Sequence, residues 1–96
     1  MSTNNSVKIL FRFHARDLHL VLGPGKSGKS GRFIVRIDGK SPSLNHGADT
    51  DDSGQGVVKE QRLYQLLRQS EGPIQDRTFE IEFSDPGIQA FAFTFG

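Results

Sequence analysis

Residues 79–95 read FEIEFSDPGIQAFAFTF, and this stretch decides the fold. Phe79, Ile81 and Phe83 alternate with Glu80, Glu82 and Ser84, and beyond the turn Phe91, Phe93 and Phe95 alternate with Ala90, Ala92 and Thr94. A period of two sends successive side chains to opposite faces of an extended backbone, so each half predicts a strand with one apolar face. Asp85-Pro86-Gly87 between them combines the fixed φ of proline with the conformational freedom of glycine, as a turn requires.

The same period recurs upstream. Val7, Ile9, Phe11, Phe13 and Ala15 alternate with Lys8, Leu10, Arg12, His14 and Arg16; Leu18, Leu20 and Leu22 alternate with His19 and Val21; Phe33, Val35 and Ile37 alternate with Arg32, Ile34 and Arg36. The middle element, residues 57–69, has Leu63, Leu66 and Leu67 at helical spacing as well as an extended alternation, and it is assigned as strand. The chain thus predicts an all-β antiparallel sandwich of about seven strands. All eight Phe fall on the apolar parity of their strands, so all are expected in a core shared by two sheets, with none exposed as an aromatic platform.

With 96 residues there is room for one domain: a polar tag over residues 1–6, then a single sandwich over 7–96. The absence of Cys excludes disulfides, thiolate metal sites and thiol redox chemistry in this chain. Through Lys40 there are eight Lys or Arg against two Asp, and from Ser41 onward four against nine Asp or Glu, so the halves carry +6 and −5. In a sheet protein, outward cations and anions on neighbouring strands neutralise one another across the ladder, and Lys8, Arg12, Arg32 and Arg36 against Glu80 and Glu82 are candidates for such pairing.

Two motifs look chemical. Gly23-Pro24-Gly25-Lys26-Ser27-Gly28-Lys29-Ser30 matches the phosphate-loop pattern G-x-x-x-x-G-K-S, with Lys29 and Ser30 in its ligand positions. That loop works by opening a helix whose amides hold phosphate, whereas residues 32–38 read as a strand, so a hairpin loop is expected. Asp49, Asp51, Ser53 and Glu60, with Gly54 at the sharp turn, fit the spacing of a calcium loop. Its flanks are turn-rich instead of helical, which makes a solvated acidic connection the expectation and calcium the lesser alternative. If the first two strands form a hairpin, His14 and His19 share its outer face with Lys8 and Arg12, whose charge opposes a metal ion; His46 stands apart. Neither a catalytic residue nor a ligand-binding residue is assigned. A five-stranded nucleic-acid-binding barrel, suggested by the cation-rich first half, is the alternative function, followed by a nucleotide binder using the phosphate-loop pattern.

Several runs resemble the C-terminal domain of DipZ-type thioredoxin-like proteins: residues 11–24 (FRFHARDLHLVLGP), 62–66 (RLYQL), 76–81 (DRTFEI), Asp85-Pro86-Gly87 and 90–96 (AFAFTFG). The resemblance implies a jelly roll similar to carbohydrate-binding modules, following a thioredoxin-fold domain that carries the Cys-x-x-Cys chemistry. It implies strand for residues 62–68, and a non-catalytic accessory module with a thioredoxin-fold partner in the same or a neighbouring chain and a glycan as a further ligand. It also implies that strands preceding the position of Val7 in the family are missing here, leaving an exposed sheet edge that favours a homodimer. A DipZ-like context implies a periplasmic or extracytoplasmic location, a stand-alone chain a cytoplasmic one, and this segment contacts no membrane.

Overall fold

Among the described residues the chain forms seven strands: β1 (Val7–Phe13), β2 (Asp17–Gly23), β3 (Gly31–Ile37), β4 (Gln55–Val58), β5 (Arg62–Arg68), β6 (Arg77–Phe83) and β7 (Gln89–Phe95). A computed structural model provides the coordinates and describes residues 7–24, 30–69, 74–85 and 87–95. One sheet has the order β1-β6-β3-β4 and the other β5-β2-β7, all pairs antiparallel. Among the described strands only β3 and β4 are consecutive within a sheet; every other connection crosses the sandwich. Such crossing is the jelly-roll style of double sheet, whose full form has eight strands.

The inward parity supplies the core. Leu18, Leu20 and Leu22 from β2 meet Phe33 and Val35 from β3, and Phe79 and Ile81 from β6, all nearly or wholly inaccessible to water. Aromatic contacts tie one sheet to the other: Phe33 meets Tyr64 edge-on at 6.4 Å, Phe79 meets Phe93 edge-on at 6.0 Å, and Phe13 stacks on Phe95 at 6.3 Å. Edge-to-face and offset geometries at these separations add to the gain from area burial.

The topology corrects four readings of the sequence. Strands β1 and β2 make no hairpin; β1 pairs with β6 while β2 lies in the opposite sheet. Residues 57–69 are not one strand but parts of two, β4 and β5, in different sheets. The break at Lys59–Gln61 contains no Gly or Pro. It is fixed by the buried Tyr64, whose hydroxyl accepts the Lys59 and Glu60 N–H groups at 3.1 and 3.3 Å and donates to the Glu60 carbonyl at 2.7 Å. The closed barrel of the nucleic-acid alternative does not form, since the strands build two open sheets. Finally, the Phe are not all enclosed: Phe91 is 52% and Phe95 50% exposed. Both lie on β7, which ends its sheet among the described residues, so their inward faces have a neighbouring strand on one side only.

Two glycines permit close backbone approach. A Cβ on Gly54, at φ +87°, would lie 2.0 Å from the Val35 carbonyl oxygen, and one on Gly47 would lie 2.2 Å from that of Gln65. Gly47 thereby lets the 46–50 loop lie along β5, where the Gly47 and Asp49 N–H groups donate to the Leu66 and Gln65 carbonyls at 3.0 Å each.

Candidate functional site

The acidic loop is the first place to look for chemistry, and its carboxylates point to separate tasks. Asp49 accepts the Gln65 N–H at 2.7 Å and binds both terminal nitrogens of Arg62, at 2.8 and 3.2 Å. The Arg62 guanidinium beside Asp49 holds its carboxyl below the usual carboxylate range, with the Gln65 amide acting in the same direction. Asp51 uses one oxygen, Oδ1, to accept from the Ser53 hydroxyl at 2.8 Å and from the Ser53 and Gln55 N–H groups at 3.0 and 2.9 Å. These bonds close a turn on itself and also lower the Asp51 pKa. Glu60 is an exposed side chain whose carboxylate lies 3.8 Å from Arg62 Nε. The four calcium-loop oxygens Asp49, Asp51, Ser53 and Glu60 are therefore divided between a clamp on β5, a self-contained turn and the solvent. Among the described residues, no three His, Asp or Glu side chains stand close enough to share a metal ion.

The phosphate-loop pattern joins β2 to β3, which lie in opposite sheets. Residues 25–29, including Lys29, lie outside the described residues. Beyond Ser30 the chain enters a strand at Gly31, so the helix that would aim its amides at a phosphate is replaced by extended backbone.

The histidines are dispersed. His14 Nδ1 lies 2.7 Å from Asp76, joining the end of β1 to the approach to β6 in an exposed pair. His19 stands on β2, 3.4 Å from the Thr94 hydroxyl, and His46 contacts the Gly47 carbonyl at 2.9 Å. His14 and His19 fail to converge because their strands belong to different sheets.

On the outer face of the four-stranded sheet, the antiparallel register places Arg36 opposite Glu80. Arg36 pairs with Glu80 and, at 3.2 Å, with Glu82. Arg32 joins Asp85 through its backbone N–H at 2.8 Å and its side chain at 3.2 Å, while Arg77 binds Asp38 at 3.0 Å and Asp38 accepts the Thr78 N–H at 2.8 Å. The opposite charges of the two halves of the sequence meet here across β3 and β6, as cross-strand pairing predicts. Beside this ladder, Val7 and Leu10 on β1 are 58% and 57% exposed. Between β3 and β4, Arg32, Ile34, Asp51, Gln55, Val57 and Ser84 border an open recess of about 400 Å³.

The arrangement defines a sandwich module whose charged side chains largely brace its own strands and loops, and whose most exposed apolar side chains on strands are Val7 and Leu10 of β1 and Phe91 and Phe95 of β7. The chain belongs to the thioredoxin-like C-terminal domain family, whose model matches residues 1–96. No curated protein matches it. Sequence reasoning missed the exposure of Phe91 and Phe95 because they share the parity of Phe93. The opposite parity of β7, Ala90, Ala92 and Thr94, does carry a signal: it lacks the charges found at Lys8 and Arg12 on β1 and at Glu80 and Glu82 on β6.

Proposed function

We propose that this chain is a non-catalytic accessory module that docks against a thioredoxin-fold domain of the same or a neighbouring polypeptide and extends its recognition surface. The observation that carries the reading is the match of the thioredoxin-like C-terminal domain family along a chain with no cysteine. Thiol chemistry in such an assembly belongs to the partner. The outer face of β1 suits docking: Leu10, 57% exposed, gives it apolar area, the exposed Val7 at the start of the strand adds to that area along the sheet edge, and Lys8 and Arg12 give it polar borders. A DipZ-like arrangement would place the pair outside the cytoplasm; no helix among the described residues is long and apolar enough to cross a membrane.

The test titrates the isotope-labelled chain with the thioredoxin-fold domain encoded in the same or the adjacent reading frame. Amide shifts concentrated on Val7–Arg12 support the reading. The lack of any such domain, or of any shift when it is added, ends it. Glycan recognition is a further activity of the same module and is tested by calorimetry with a glycan panel. Tyr64 is 1% exposed and offers no ring face to a sugar, so Phe91 and Phe95 would have to supply it, from a β7 edge that no second chain covers.

A further inference from the structure

We propose that β7 is a self-association edge, on which a second copy of this chain adds its own β7 antiparallel to the first. The four end strands differ in how they present themselves. β4 has four residues, too short to template a long pairing. β5 is lined by the 46–50 loop, which takes up the Gln65 and Leu66 carbonyls and bridges His46 to Leu67. β1 carries Lys8 and Arg12. β7 is seven residues long, QAFAFTF, with no charge and no proline, and lacks the usual devices that discourage pairing other than one bulge near its start. Among the described residues it is hydrogen-bonded to β2 alone.

The occupant follows from the pattern of β7 itself. Phe93 and Phe95 pair with Leu20 and Leu18 and share their inward parity, while the extra residue opposite Leu22 falls at Ala90–Phe91, where a bulge re-aims the side chain. The strand is nearly symmetric about Phe93. An antiparallel copy centred there sets Phe91 opposite Phe95 of the second molecule and Ala92 opposite Thr94, so the two half-exposed rings of each molecule cover those of the other. Self-pairing of β1 about Leu10 would instead set Lys8 against Arg12, a repulsive pair. The two three-stranded sheets become one continuous sheet of six, related by a two-fold axis. This inference does not rest on the docking role, which uses β1, and it is tested on the isolated chain.

Sedimentation equilibrium should show a mass rising from 10.6 kDa toward twice that value with concentration, with a midpoint in the micromolar range expected of a small interface. Phe91→Lys should stay at 10.6 kDa while its far-ultraviolet spectrum matches the parent's. Because the chain has no cysteine, Ala92→Cys carries the only thiol, and a spin label there should show dipolar broadening that disappears on dilution with unlabelled chain. A mass of 10.6 kDa at every concentration overturns the proposal and leaves the edge to a different strand. Association that survives Phe91→Lys, or a dimer whose labels show no broadening, overturns it as well.

Discussion

Asp49 separates a structural from a metal-binding use of the acidic loop. Its carboxylate is 20% exposed and makes two kinds of contact with β5, the Gln65 N–H at 2.7 Å and the half-exposed guanidinium of Arg62 at 2.8 Å. A hydrogen bond from an amide to a charged group is worth about 1.5–3 kcal/mol, and an ion pair with so exposed a partner about 0.2–1 kcal/mol. Asp49→Ala loses both and should cost about 2–3 kcal/mol. Asp49→Asn keeps an acceptor for Gln65 without the charge, and should cost about 1 kcal/mol. Urea unfolding followed by the β-sheet circular dichroism band reads the difference; with a slope of about 1 kcal/mol/M the Ala midpoint falls by roughly 2–3 M.

The pH dependence supplies a second reading. Because Asp49 has a lower pKa folded than unfolded, its contribution is fully present above the ordinary value of 3.8 and is lost as pH falls through the folded value. The gap between parent and Asp49→Ala should therefore narrow on the acid side, below about pH 3.8, toward what a neutral acceptor for the Gln65 N–H contributes. Calcium chloride and chelator should give the same parent midpoint. The clamp is refuted by an Asp49→Ala variant as stable as the parent, by a gap that does not narrow in acid, or by a calcium-dependent rise of the parent midpoint that Asp49→Ala abolishes.

Tyr64→Phe removes the hydroxyl that fixes the turn between β4 and β5 and should cost about 1–3 kcal/mol, with a fall in melting temperature of about 4–8 °C per kcal/mol; an unchanged calorimetric Tm would contradict the role given to that hydroxyl. Gly54→Ala meets a φ of +87° and the Val35 carbonyl at once, and is expected to lose about 1–3 kcal/mol from the backbone conformation alone, so parent-like thermal stability would refute the close approach. Arg36→Met removes the cation shared by the neighbouring Glu80 and Glu82 and should cost about 1–2 kcal/mol, between the values for exposed and buried pairs. The loss should shrink in high salt, and a salt-independent loss would point to packing instead.

Alternation in the sequence was sufficient to establish an all-β antiparallel sandwich, because a side chain's face is set by its own position along an extended backbone, and Leu18, Leu20, Phe33, Phe79 and Phe83 obey that rule locally. The charge split was legible for the same reason, as outward positions on β3 and β6 carry opposite signs. Which sheet each strand joins is a different kind of information. It depends on contacts between residues far apart in the chain, so the separation of β1 from β2, and with it that of His14 from His19, became visible only in the assembled molecule. The same holds for the break at Lys59–Gln61, which is held by the Tyr64 hydroxyl and marked by no turn residue, and for Asp49, whose partners Arg62 and Gln65 lie across the loop. Phe91 and Phe95 have the same local pattern as Phe93, and their exposure arises from β7 ending its sheet, a property of strand order that no local pattern encodes.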